Sequence, residues 1–287
     1  MASKTALITG TSTGIGAACT TRLASAGWTV YAGVRRPEDG ERLLSTTSGS
    51  VIPVILDVTN HDHIHEVLAR IGSEAGSLDG LVNNAGIAVG GPIEVLTDDE
   101  WRWQMEVNFF SLVRLTREAM PLVDRAGGRF VHIGSVAGRV ASGGLGPYSA
   151  SKYAVSAFNW TLRAELGRNT AMRSSVVEPG EIKTAIWDKA DQSMKELDAR
   201  LVGSLRDRYG FLLDQERAFV EEGRSKGVDA DRVAKAVEHA LTSRRPKARY
   251  LVGPDAKVTG VLARMPDRVL EGFMNLNGRR LERSAKS

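Results

Sequence analysis

Cysteine is nearly absent from this chain: Cys19 is the only one in 287 residues. A single thiol excludes an internal disulfide and suits a reducing compartment. Long apolar runs are missing too. No uninterrupted stretch approaches the ~20 residues that a membrane span needs. Met1-Ala2-Ser3-Lys4 leads straight into a strand-like segment, without the apolar core of a signal peptide. The expectation is a soluble, cytoplasmic protein with little use for a membrane surface. Charge of one sign is not in excess either. Lys and Arg number 38 against 34 Asp and Glu, and no long one-sign block breaks the balance, which argues against a nucleic-acid partner. Histidines number only 5, and His61, His63 and His65 stand two apart, so a helix would send neighbours to different sides. No metal site is expected there. Hydrophobic residues make up 42% of the chain, enough for one full core.

What is present is an ordered series of strand and turn signals. Residues 5–9 read as a short buried strand. Gly10-Thr11-Ser12-Thr13-Gly14-Ile15-Gly16 follows, then a helical run over 17–26. A glycine-rich turn between strand and helix lets backbone N–H groups approach phosphate oxygens at the positive end of the helix. The spacing G-x-x-x-G-x-G differs from the general dinucleotide fingerprint G-x-G-x-x-G. Gly10-Thr11-Ser12-Thr13-Gly14 also fits G-x-S-x-G, the nucleophile elbow of a hydrolase. His132 and His239 are the only bases well downstream, and almost no sheet precedes the turn to hold an elbow.

The second strand, 28–34, ends in Arg35-Arg36 rather than in an acid. In dinucleotide folds an acid there suits ribose hydroxyls, whereas arginine suits a 2′-phosphate. The third strand, 51–59, carries Asp57 at its carboxyl end, placed to accept from an adenine amino group. Thr59 is placed to cap the next helix. The fourth strand, 78–82, runs into Asn83-Asn84-Ala85-Gly86, small and amide residues that allow a ligand ring close approach. Thr97-Asp98-Asp99-Glu100 is a capping box, and it opens one long amphipathic helix over 98–123. Asn108 stands inside that helix, where asparagine is a poor choice without a use.

Ser135, Tyr148 and Lys152 form the chemical centre of the sequence. Tyr148 and Lys152 are four apart, hence on one helix face a turn apart. An ammonium beside a phenol favours phenolate and lowers a pKa that is otherwise near ~10. Ser135 can hold a substrate oxygen. The three together can move a proton on or off an alcohol oxygen.

With Thr9-Gly10-x-x-x-Gly14-x-Gly16, Asn83-Asn84-Ala85-Gly86, Asn108, Ser135, Tyr148-x-x-x-Lys152 and Pro179-Gly180 in this order, the chain resembles a short-chain dehydrogenase/reductase. The resemblance is dense over 4–184 and loose beyond. It implies a Rossmann-like α/β fold, a doubly wound parallel sheet with helices on both faces, formed by residues 1–287 as one domain. It implies a catalytic tetrad of Asn108, Ser135, Tyr148 and Lys152, with Asn108 positioning a water behind Lys152. Gly10, Ser12, Thr13, Gly14, Ile15 and Gly16 would hold phosphate, and Asp57 and Val58 the adenine. Asn84, Ala85 and Gly86 would line the cofactor cleft. Tyr148 and Lys152 would touch the cofactor's ribose, and Pro179, Gly180, Ile182 and Thr184 the nicotinamide. Arg35 and Arg36 favour NADP(H), with NAD(H) open, because Thr11, Ser12 and Thr13 supply no basic residue inside the loop.

The small apolar residues from Val136 to Leu145 suit the wall of a greasy pocket. Residues 185–228 read as an inserted lid of amphipathic helices or as an oligomer contact, and 254–287 as a helical tail broken at Pro266. The run 250–257 resembles the branch acting on steroids, retinoids and similar lipophilic alcohols. The resemblance implies a homodimer or homotetramer built on the Asp98 and Tyr148 helices. A dinucleotide-binding regulatory protein without turnover is the alternative.

Overall fold

The computed structural model describes residues 3–184 and 186–285, with the side chains of 186–190, 284 and 285 outside the description. The expected lid residues Ile186 and Trp187, the tail residue Lys286 and the Ala185 junction fall outside it, apart from the backbone of 186 and 187.

The chain alternates strand and helix as the apolar runs require: β1 Thr5–Ile8, α1 Gly14–Ser25, β2 Thr29–Val34, α2 Pro37–Thr46, β3 Val51–Ile55, α3 His61–Glu74 and β4 Gly80–Asn83. Then come α4 Asp98–Met105, α5 Ser111–Ala126, β5 Arg129–Ile133, α6 Gly146–Leu166, β6 Arg173–Pro179 and β7 Ile182–Lys183. The last elements are α7 Ile186–Arg200, α8 Ser204–Lys226, β8 Val228–Asp229, α9 Ala230–Thr242, β9 Arg249–Val252, α10 Pro254–Leu262 and α11 Asp267–Ala285.

Seven strands form one all-parallel sheet in the order β3-β2-β1-β4-β5-β6-β9. Strands this apolar need cover on both faces. One face packs on α1 and α9 through Ala6, Ile8, Leu23, Val131, Val233 and Val237. The other packs on α3, α5 and α6 through Leu7, Ile64, Leu81, Leu115, Phe130 and Leu162. The strand order reverses between β1 and β4, and ligands of such sheets bind at the carboxyl ends beside that reversal.

Three local expectations change. The helix expected over 98–123 is interrupted by a π-turn at Glu106–Phe110, so α4 and α5 join through one register slip centred on Asn108. Thr59 does not cap α3; Asn60 does, its side chain accepting from the amides of Asp62 and His63. Thr59 is instead drawn back to Asp57, where its amide and hydroxyl donate to Oδ1 at 2.9 and 2.7 Å. The third strand ends at Ile55, so Asp57 sits in the turn after it.

α7 and α8 pack on each other around Leu197, Leu201 and Leu213. They are tied to the first turn of α4 and to the segment before it. Arg200 donates to Glu100 and to the Val95 carbonyl, and Arg208 pairs with Glu94 at 2.7 Å. The Arg200 hydrogen bond holds the Glu100 carboxyl down to about 2 against its burial. α11 lies against α8, with Leu281 buried and Arg280 paired to Glu222 at 2.8 Å. Its outer side and that of α10 leave Val258, Val261, Met265, Val269, Phe273 and Leu276 exposed. Among the described residues no helix is long and apolar enough to cross a membrane.

Candidate active site

The glycine loop leaves β1 at Gly10, which adopts φ +67°, and enters α1 at Gly14, φ +60°, both left-handed conformations that favour glycine. A side chain on Gly16 would collide with the Gly10 carbonyl and crowd the Asn84 amide at 2.6 Å. That amide donates to the carbonyls of Thr9 and Gly10 at 2.8 and 3.0 Å. Asn84 therefore braces the loop with its side chain, while Ala85 packs against Gly10. Thr11 anchors the loop to β2, its hydroxyl donating to the Gly33 carbonyl at 3.0 Å. A side chain on Gly14 would touch Thr184 at 3.1 Å, so the segment after β6 closes on the same loop.

That segment is shaped by a carboxylate far along the chain. Asp255 accepts from the Glu181 amide at 2.7 Å, and its carboxyl occupies the space any Gly180 side chain would need. Ile182 points into the core, 5% exposed, and Pro179 ends β6 against Val252.

In the turn after β3, Asp57 accepts from Thr59 through Oδ1 and Val58 is buried. Burial pulls the Asp57 carboxyl up, but the two Thr59 bonds and the charge of Arg35 outweigh it and hold it below the ordinary range. Arg35 and Arg36 are exposed. They are not equivalent. Arg36 is drawn to Asp39 at 3.2 Å, whereas Arg35 stands near Asp57. Sequence reasoning missed a third arginine. Arg42 of α2 pairs with Asp39 at 2.7 Å and donates to the Ser12 carbonyl at 3.0 Å, which places a guanidinium beside the glycine loop. Its spacing from the loop carries no signal; only the fold of α2 onto β2 brings it there.

Ser135, Tyr148 and Lys152 converge. Ser135 ends the β5 segment and its Oγ accepts from the Ala137 amide at 3.1 Å. Tyr148 and Lys152 lie on α6, with Lys152 Nζ 5.7 Å from the Tyr148 ring centroid. Lys152 is 6% exposed and donates to the Ile133 carbonyl at 2.9 Å. Burial lowers its pKa from 10.5 to about 8. Tyr148 goes the other way from the sequence expectation. Burial raises its pKa, only partly offset by the hydrogen bond with Ser135. The ammonium lies over the ring and is held by Ile133, so desolvation of the phenolate outweighs any attraction.

Asn108 is buried behind them. Its Oδ1 accepts from the Ile87 amide at 2.8 Å, and its Nδ2 donates to the Ile87 carbonyl at 2.9 Å and to Ser151 at 3.1 Å. The side chain is thus committed to the loop after β4 and to Ser151, where the sequence had it positioning a water. Gly86 lets this packing close, since a side chain there would meet Asn108 Oδ1 at 3.2 Å. Gly138 has a similar reason to be small. Its missing side chain would press on the Lys152 carbonyl at 2.6 Å, so it serves the packing of α6 rather than a pocket wall.

The hydrolase reading loses its base. His132 is fully buried against Asn83 and burial holds it down to about 3, while His239 bonds the Tyr250 hydroxyl at 2.9 Å. His63 Nδ1 accepts from the Asp57 amide at 3.2 Å. Among the described residues no group of three metal-ligating side chains gathers.

Comparison with known proteins gives the family. The family model "short chain dehydrogenase" matches residues 4–195. The chain belongs to the short-chain dehydrogenase family. Dehydrogenase/reductase SDR family member 9 of Bos taurus is 35% identical over 277 residues, covering 94% of this chain and 86% of that protein. Retinol dehydrogenase 5 of Mus musculus is 32% identical, covering 93% and 86%. An NADPH-dependent 3-dehydrocapnine reductase of Ornithobacterium rhinotracheale is 33% identical, covering 93% and 94%. Among solved structures, a short chain dehydrogenase/reductase from Burkholderia phymatum in complex with NAD superposes with a TM-score of 0.78 at 26% identity, covering 91% of this chain and 92% of that one. The chain is thus an NAD(P)-dependent oxidoreductase of the branch that includes the steroid and retinol dehydrogenases.

Proposed function

We propose that this dehydrogenase interconverts a lipophilic ketone and its secondary alcohol, with NADP(H) favoured over NAD(H). The observation that carries the reading is the meeting of a serine hydroxyl, a half-buried phenol and a buried ammonium at the carboxyl edge of the sheet, beside a glycine turn. The nicotinamide, when bound, supplies or accepts the hydride. Ser135 would fix the substrate oxygen. Tyr148, held neutral by burial, is suited to give its proton to a carbonyl oxygen, a step worth ~10²–10⁴-fold in rate. Lys152 would return a proton to Tyr148 and hold ribose hydroxyls, and Asn108 would keep the relay in place from behind.

Arg35 and Arg42 support the NADP(H) preference. Arg35, Arg36 and Arg42 gather there against Asp39 and Asp57, with Asp39 already paired twice, so the support lies in the exposed guanidinium groups themselves. A 2′-phosphate would add two acceptors for guanidinium groups. The exposed aromatic residues Trp103 and Phe110 on α4–α5, and Trp160 on α6, support a homodimer or homotetramer through those helices.

The test is NADPH oxidation with a panel of lipophilic ketones, repeated with Tyr148→Phe. The variant should bind NADPH as before and lose nearly all turnover. Full turnover in Tyr148→Phe on a confirmed substrate would remove Tyr148 as proton donor.

A further inference from the structure

The lid carries a carboxyl that the mechanism above does not use. Glu216 sits midway along α8, one turn after Leu212, which packs toward Gly143. A side chain on Gly90 would meet Glu216 Oε1 at 3.2 Å, the Gly144 carbonyl oxygen at 3.4 Å and Leu145 at 3.7 Å. Two oxygen acceptors and one apolar wall therefore converge on the bare face of a glycine. Both loops belong to the active site. Gly90 lies four residues past Gly86, which packs on Asn108 and Lys152, and Leu145 lies three before Tyr148. The two loops are joined there by the Gly91 amide donating to Gly144 at 2.6 Å.

Among the described residues no cation or hydrogen-bond donor reaches Glu216. Burial alone raises its pKa to about 7. An uncompensated carboxyl in an apolar setting is costly, and buried charges are normally paired. The Gly144 carbonyl has a second lone pair beyond the one used by Gly91. With Glu216 ionised, the place has acceptors and no fixed donor to answer them. An ammonium, with three N–H donors and no acceptor, matches it. A hydroxyl would satisfy one oxygen only, and an anionic group would be repelled.

We infer that Glu216 and the Gly144 carbonyl recognise a protonated amino group on the substrate, so that the lipophilic ketone or alcohol is an amino ketone or amino alcohol. This rests on the reductase reading for the reacting end and adds the identity of a second polar group. Glu216 is a specificity residue; it takes no part in the hydride or proton step.

The experiment uses the full chain with NADPH. A series of straight-chain ketones carrying an amine two to eight carbons from the carbonyl is compared with methyl-ended counterparts. At one spacing at least, kcat/KM should favour the amino ketone by about tenfold or more, the discrimination of a charge-assisted hydrogen bond. In Glu216→Gln and in Gly90→Ala, which fills the same space, that ratio should fall to near one. No preference at any spacing, or a preference that survives in Glu216→Gln, overturns the inference. A second measurement does not depend on turnover. Octylamine should raise the thermal midpoint of the NADPH-loaded protein more than octanol does, and Glu216→Gln should erase the difference. Equal effects of amine and alcohol on the wild type overturn the amine site, while failure of every ketone to oxidise NADPH counts against the reductase reading alone.

Discussion

Replacing Arg42 with alanine tests whether the corner between α2 and the glycine loop distinguishes NADPH from NADH. The guanidinium lies 3.0 Å from the Ser12 carbonyl and 2.7 Å from Asp39, so it stands where β2, α2 and the glycine loop meet. A hydrogen bond from a charged donor is worth about 1.5–3 kcal/mol. The Arg42 side chain is 54% exposed, which screens its charge and selects the lower end of that range. About 1.5 kcal/mol corresponds to roughly tenfold in affinity. A second effect acts in the same direction. Asp39 is buried and shared by Arg36 and Arg42, so the alanine variant leaves it half neutralised and opposed to any added phosphate. NADPH affinity should therefore fall by about tenfold or somewhat more, with NADH affinity changed by less than about twofold. The assay is a fluorescence titration of the wild type, Arg42→Ala and Arg35→Ala with both cofactors. If Arg42→Ala weakens both equally, the bond to Ser12 is a brace for the loop and the phosphate account is wrong. If NADPH shows no advantage in the wild type, the arginines of that corner select nothing.

Three further outcomes follow from other parts of the molecule. Lys152 has a folded value near 8 against 10.5 free, so between those limits the unfolded chain binds the extra proton and stability rises with pH. Measured as the difference from Lys152→Met, the unfolding midpoint should climb over that window while turnover declines as the ammonium is lost; a joint decline would contradict the depressed value. Glu178 is fully buried between Arg249 at 3.0 Å, Arg139 at 3.4 Å and Ser156 at 2.9 Å. Stranding those arginines with Glu178→Ala should cost about 3–5 kcal/mol in urea unfolding, and a loss below ~1 kcal/mol would show that the arginines escape to water. Phe110→Glu, on the exposed aromatic face, should reduce the mass found by light scattering to that of one chain, and a wild-type monomer would dispose of the assembly reading.

Much of the candidate site was legible because its residues stand at short range. The glycine turn, the Tyr148–Lys152 pair, Asp57 in the turn after β3 and Asn84 just past β4 lie within a few residues of the elements that position them. Arg42, Asp255 and Glu216 were not legible for the opposite reason. Each reads as a solvated charge on an ordinary helix, and each acquires its role from a segment at least 30 residues away, as the Arg42–Ser12 bond illustrates. The direction of the Tyr148 shift was misread because spacing reveals that an ammonium is near but not that Ile133 holds it, nor how dry the phenol is. Thr59 and Asn60 are both good caps, and only the Asp57 side chain, by taking the threonine, decides between them.

The π-turn at Glu106–Phe110 has a consequence for how this enzyme can change over time. One residue more than an α-helix needs is stored there. Deleting one of the five would heal the helix, and because the wide turn absorbs the extra residue, Gln104 on one side and Leu112, Leu115 and Ala119 on the other would keep the faces they now present. What would go is the bulge, and with it the place of Asn108 against the Ile87 loop. The extra residue sets where Asn108 stands and leaves the packing of both helices alone.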